Sequence, residues 1–295
     1  DEVLTLKADY VPAIYQKARL FYGQDQAQAI SLLEQAVEVD GNYLQAVKDL
    51  AAMYYQQAGK AQNDAGAQAD LYEKAAAVAN LENAEKGLYV ECLFNAGALR
   101  YQQKKMDQAI PLFEKLTAIQ NPATDKQKNT IRLANYMLGM AYVQTQKTDK
   151  AQATLKQFIE LSSALTDDPY LPVARFILAE SLMNDLEAKV KVINKDEKEE
   201  KTSRIAALAA TRTEVVELLE KAMAQKPEIA ESAQMYLGNY YYLAGDLAKA
   251  IGYYETLTRD FATSDQIGSY QTFLKELKAD KEFRDKEANK KGKKK

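Results

Sequence analysis

"YLGNYYYLAGDLAKAIGYYETL", residues 236–257, carries six tyrosines and sets Leu237, Gly238 and Tyr241 at fixed distances from Ala250, Tyr254 and Leu257. The same intervals return upstream. Leu138, Gly139, Tyr142, Ala151, Leu155 and Phe158 reproduce every one of them. Gly97, Ala109, Phe113 and Leu116 do so with Ala96 and Arg100 in the Leu and Tyr places. Leu50, Ala51 and Tyr54 begin another copy whose second half, Tyr72 and Ala75, arrives late. Leu178, Ala179 and Leu182 begin a fifth, completed after a longer insertion by Val215, Leu219 and Ala222; Ala29, Leu33 and Ala36 supply the second half of a first. Self-similarity at this period is the signature of a helical array.

The residue types have a steric reading. Small residues such as Gly238 and Ala250 let two helices of a hairpin approach, and large ones at helical spacing fill the gaps between them. Glycine inside a helix costs about 1 kcal/mol relative to alanine, so its return at one place in three copies points to a steric need. Gly245-Asp246 marks a turn. Composition agrees: only 12 Gly and 6 Pro among 295 residues, with Ala, Leu, Gln, Glu and Lys filling long stretches, reads as all-α.

This pattern resembles the tetratricopeptide repeat, a helix-turn-helix unit of roughly 34 residues. Residues 230–261 carry it most fully, although the family's usual tryptophan early in the first helix is replaced there by Gln234. The resemblance implies an all-α, right-handed α-solenoid of about six hairpins over 1–261, followed by a C-terminal capping helix at 262–288 and a basic disordered tail at 289–295. Helix pairs are expected near 10–22/26–39, 43–58/66–79, 86–103/107–119, 127–146/149–163, 170–194/204–225 and 229–244/247–260. The fifth pair, about 170–225, is elongated. Its tip over 187–210 reads either as a projecting docking arm or as a hairpin packing on itself.

Catalysis finds little support. The chain has no histidine and one cysteine, Cys92, so imidazole metal sites and Ser-His or Cys-His nucleophiles have no residues to use. No glycine-rich phosphate loop is present. Acidic pairs such as Asp167-Asp168 and Glu199-Glu200 read as solvated charge. We expect a noncatalytic protein without cofactor or metal. A formal charge of −3 gives no field favouring nucleic acid, so no specific nucleic-acid partner is expected. No apolar run reaches the roughly 18 residues of a membrane span, though the terminal lysines allow peripheral contact with an anionic membrane.

In tetratricopeptide arrays the first helix of each hairpin lines a concave groove, and the resemblance carries that role to particular positions. These are Lys48, Ala52 and Tyr55; Phe94, Ala98 and Tyr101; Tyr136, Met140 and Val143; Phe176, Glu180 and Met183; and Met235, Asn239 and Tyr242. A subgroup clamps a partner's C-terminal carboxylate with a Lys/Asn/Arg set. Only Asn239 occupies one of its asparagine positions, so an amphipathic helix or extended apolar segment suits this lining better. Tyr241, Tyr254 and Gly238 are expected to pack and Tyr242 to face the groove; whether the other groove aromatics bind or pack stays open. The expected function is a scaffold or adaptor holding a protein or peptide partner, with a structural subunit of a larger cell-envelope assembly as the alternative. "ADYVPAIYQKARL" and "LEQAVEVDGNYLQAV" look like exported bacterial tetratricopeptide proteins, and the start at Asp1 rather than Met fits processing or trimming. A periplasmic or envelope location is therefore expected, with the cytoplasm as alternative.

Overall fold

The computed structural model describes residues 2–79, 86–165, 167–193 and 209–292. Among these the regular elements are helices: α1 (Glu2–Leu6), α2 (Val11–Leu20), α3 (Gln26–Val39), α4 (Leu44–Lys60), α5 (Ala65–Val78), α6 (Lys86–Gln102), α7 (Met106–Thr117), α8 (Asp125–Gln144), α9 (Thr148–Ser162), α10 (Leu171–Ile193), α11 (Ala209–Gln225), α12 (Ala230–Leu243), α13 (Leu247–Asp260) and α14 (Ile267–Gly292). A single 3-10 turn, Pro227–Ile229, precedes α12. Each hairpin expected from the spacing is present, and the fold is an all-α repeat of the solenoid type. The short α1 was not anticipated. The tip of the fifth hairpin, 194–208, lies outside the described residues, as do 293–295 of the tail. The chain forms two compact units, 1–154 and 155–295.

Local chemistry starts these helices where they start. Asp25 Oδ1 accepts from the Gln28 N–H at 2.9 Å, Asp64 Oδ1 from Gly66 and Ala67 at 3.0 Å, and Asp246 Oδ1 from Lys249 at 3.1 Å. Each satisfies backbone donors that the first turn cannot. Thr124 and Gln127 form a reciprocal capping box at α8.

Three hairpins turn through one left-handed residue: Lys104 (φ 60°), Gln146 (φ 56°) and Gly245 (φ 80°). In each, that residue's N–H bonds back three residues and the next N–H bonds back five, as in Lys104→Tyr101 and Lys105→Arg100. This is the Schellman closure, and only one copy uses the glycine it favours. Left-handed geometry costs a side-chain-bearing residue about 1–2 kcal/mol. Lys104→Gly and Gln146→Gly are therefore each expected to raise stability by up to about 1 kcal/mol, and Gly245→Ala to lower it by a similar amount. Urea-unfolding midpoints check this; a loss on Gln146→Gly would contradict it.

In two hairpins the glycine of the first helix faces an aromatic ring on the second. A Cβ built on Gly97 would lie 2.8 Å from Phe113 Cε1, and one on Gly238 2.7 Å from Tyr254 Cε2. Phe113 is fully buried and Tyr254 nearly so. The close approach therefore runs between glycine and ring, rather than between Gly238 and Ala250.

Successive hairpins are tied by a second repeated contact. In α4, α6 and α8 the Tyr place reaches back to an acid on the preceding second helix: Tyr54 donates to Glu34, Tyr142 to Glu114, and Arg100 to Asp70 and, at 2.8 Å through Nε, to Glu73. Glu34, Glu73 and Glu114 each follow the large core residue, Leu33, Tyr72 or Phe113. The bond from Tyr142, helped by Lys150 and Lys147, holds the Glu114 carboxyl below its ordinary range. Lys150 and Lys249 lie over the Tyr142 and Tyr241 rings at 5.4 and 4.7 Å, whereas Gln108 occupies the equivalent place beside Arg100. A cation is thus absent where the ring has become a guanidinium.

In the C-terminal unit α14 plays the part of one more first helix. Lys278 Nζ reaches Glu255 at 2.7 Å, which puts Lys278 in the Tyr place and exposed Lys275 where Gly97 and Gly238 stand. A lysine at this place does not admit the close approach of a second helix that glycine does. Beyond Leu277, i,i+4 pairs Asp280–Arg284, Lys281–Asp285 and Glu282–Lys286 support the helix through to Gly292, four residues past the expected cap.

Candidate functional site

One residue beyond each packing position, the side chain turns from the hairpin interior towards the neighbouring first helix. In the N-terminal unit this face is carried by α4, α6 and α8. The Tyr55 ring stands edge-on to Tyr72 at 5.4 Å and its hydroxyl donates to Glu91 Oε2 at 3.3 Å, linking α4 to α6. Glu91 also pairs with Lys126, and Gln144 Nε2 donates to the Tyr101 hydroxyl at 2.6 Å, linking α8 to α6. Burial pushes the Tyr55 and Tyr101 hydroxyls above their ordinary range, Glu91 adding to the effect at Tyr55. Both therefore stay neutral and able to donate. Phe94 packs edge-on to Phe113 at 6.3 Å. Tyr136 and Met140 are half-buried; Lys48 and Val143 are exposed.

The C-terminal unit places its candidates on α10 and α12. Phe176 meets Tyr236 edge-on at 5.7 Å, and the Tyr236 hydroxyl donates to Glu180. Met183 is fully buried, which contradicts its expected groove position. At the elongated α10 it continues the interior stripe with Leu182 and Leu186, both also buried. Met235 packs on the core shared by α13 and α14. Asn239 Oδ1 accepts from the Tyr254 hydroxyl at 2.7 Å, so this asparagine serves packing; burial pushes that hydroxyl up to about 12. Tyr242 is 40 % exposed with one edge on Phe273 at 5.4 Å. Tyr241 is half-buried and stacked on Tyr253.

The spacing did not reveal a cleft of about 560 Å³ beside α4, lined by Tyr22, Gln26, Asp49, Ala52, Gln56 and Lys60 among others. Only Ala52 had been placed on the groove. A signal was available: 49, 52, 53, 56 and 60 recur on one side of a helix of 3.6 residues per turn. Asp49 Oδ2 accepts from the Tyr15 and Tyr22 hydroxyls at 3.0 and 2.5 Å.

Cys92 is buried and its thiol is pushed up to about 12 by that burial. No group of three His, Cys, Asp or Glu side chains among them is placed to hold a metal, and no helix among them is long and apolar enough to cross a membrane.

Comparison with known proteins agrees with the repeat. Tetratricopeptide repeat family models match residues 91–119, 134–165 and 216–265. No curated protein matches the chain. Solved structures similar to it include PilW, a type IV pilus biogenesis factor (18% identity, 88% of this chain and 97% of that one, TM-score 0.42). Pseudomonas aeruginosa pilF (16%, 89% and 96%, 0.45) and yeast Tom70 (18%, 93% and 48%, 0.45) are others. Members of the repeat family generally act as noncatalytic scaffolds for protein–protein interaction. The matched stretches fall on hairpins with the repeated intervals described above, two of them with glycine set against an aromatic ring, so this chain carries tetratricopeptide repeats, the architecture of protein–protein interaction scaffolds.

Proposed function

We propose that the face formed by α4, α6 and α8 holds an amphipathic helix or extended apolar segment of a protein partner. One observation carries the reading: half-exposed aromatic and aliphatic side chains on adjacent first helices are already fixed by Tyr55–Glu91 and Tyr101–Gln144 bonds. A surface held in place before binding loses little conformational entropy when it is occupied, and tyrosine offers apolar area with a polar tip at small rotamer cost. The test is a quantitative pull-down from source-cell extract with a Met140→Glu/Val143→Glu variant whose melting matches wild type. Partners held by this face are expected to fall at least about 10-fold, since buried anchors of an interface carry about 2 kcal/mol or more each. An unchanged partner list would overturn the proposal.

A second reading, a structural subunit packed through its end, is favoured by the apolar residues at α1 and α2. Leu6 is 90 % and Leu20 72 % exposed, with Val3 and Tyr10 also open to solvent. In the same assay, loss of partners from Leu6→Ser/Leu20→Ser alone would favour it. The proposal keeps the envelope location, supported by the resemblance of the opening segments to exported proteins. Recovery of the protein wholly in the cytosolic fraction would remove it.

A further inference from the structure

The cleft beside α4 has a charge at each end and no opposite charge on either. Asp49 is half-buried, and its partners are the two neutral hydroxyls of Tyr15 and Tyr22, both gathered on Oδ2. Lys60 reaches only the neutral Gln26 Oε1, at 3.2 Å. No ion pair among the described residues involves either. Eleven residues separate Asp49 from Lys60 on one helix. At 1.5 Å and 100° per residue they lie roughly 16 Å apart and within about 20° of the same direction. An extended chain rises about 3.3 Å per residue and turns successive side chains to opposite faces, so the residues that meet both charges from one face are an even number apart, about four or six.

We propose that this cleft binds an extended protein segment carrying a lysine or arginine and, about four or six residues away, an aspartate or glutamate. The cation pairs with the free Oδ1 of Asp49 and the carboxylate with Lys60, while the Gln56 amide, between them along α4, meets the backbone of the segment. Charge complementarity at both ends fixes the direction of the segment as well as its register. The two tyrosine hydroxyls hold the Asp49 carboxylate in one orientation, so the acceptor is set before a ligand arrives. The proposal rests on the reading of the first-helix face as partner-binding, because Ala52 belongs to both, and it adds the chemistry of the ligand.

The test uses the full chain, fluorescently labelled, on an array of N-acetylated Ala/Ser octapeptides. Each peptide carries one arginine and one glutamate separated by one to seven residues, in both orders. Binding is expected to peak at separations of about four or six and to fall at five, in one order only, and to weaken with added salt. Asp49→Asn keeps an acceptor for both tyrosines and is expected to lower the peak at least 10-fold, as is Lys60→Gln; the Met140→Glu/Val143→Glu variant is expected to keep it. Binding that ignores spacing, or a peak that survives Asp49→Asn, would overturn the proposal. Absence of any array signal in wild type would overturn it too, while the pull-down decides the α4–α6–α8 face separately.

Discussion

Phe113→Ala is expected to cost about 3–5 kcal/mol of stability, the range for a fully buried phenylalanine whose space cannot collapse. The ring fills the gap over Gly97 and supports the edge of Phe94. Its removal leaves a void bounded by backbone on one side and buried side chains on the other. The informative measurement is the cycle with Gly97→Ala. In wild type the new methyl would press into the ring at 2.8 Å, and overpacking of this kind costs about 1–3 kcal/mol. Without the ring, the same methyl partly fills the void and restores about 1 kcal/mol of helix propensity. The sign of Gly97→Ala should therefore reverse between backgrounds, a coupling visible in urea-unfolding midpoints. Equal cost in both backgrounds would show that the glycine answers to something other than Phe113.

Arg100→Ala is the second large effect, expected at about 2–4 kcal/mol. The guanidinium is almost completely buried, whereas its partners Asp70 and Glu73 keep 64 % and 38 % side-chain exposure. Water can take back part of the acids' charge, so the loss falls below that of a fully buried pair, about 3–5 kcal/mol. The other copies suggest the compensating residue. Tyr54 and Tyr142 make the same backward contact to Glu34 and Glu114 with a hydroxyl. Arg100→Tyr is thus expected to stay within about 1 kcal/mol of wild type, and Arg100→Leu to fall between, filling volume but leaving both acids unpartnered. Thermal unfolding of the three variants would rank them; a tyrosine no better than alanine would rule out the equivalence of the two contacts.

The two predictions differ in how far the sequence anticipates them. The Gly97–Phe113 and Gly238–Tyr254 oppositions follow from periodicity, because helical spacing fixes which residues share a face and the intervals repeat. The backward tie was present in the sequence as an acid following the large residue of α3, α5 and α7, but a charged residue beside a core position usually reads as solvated surface. Only the placement of one hairpin against the next shows that Glu34, Glu73 and Glu114 meet Tyr54, Arg100 and Tyr142. The same limit applied to the candidate groove. The family pattern names positions on a helix, while burial depends on what lies across from them, and α10 turned Met183 inward.

By itself, the sequence determined the helical class, the hairpin positions, the small-against-large packing and the lack of residues for histidine chemistry. These are local or periodic properties, written in composition and in intervals along one chain. Tertiary structure alone decided which tyrosines spend their hydroxyls on neighbours, that α14 packs on α13 as one more first helix, and that Asp49 and Lys60 face one cleft without opposite charges. Such facts concern residues many positions apart whose separation is set by the stacking of hairpins, and no interval along the chain encodes that distance.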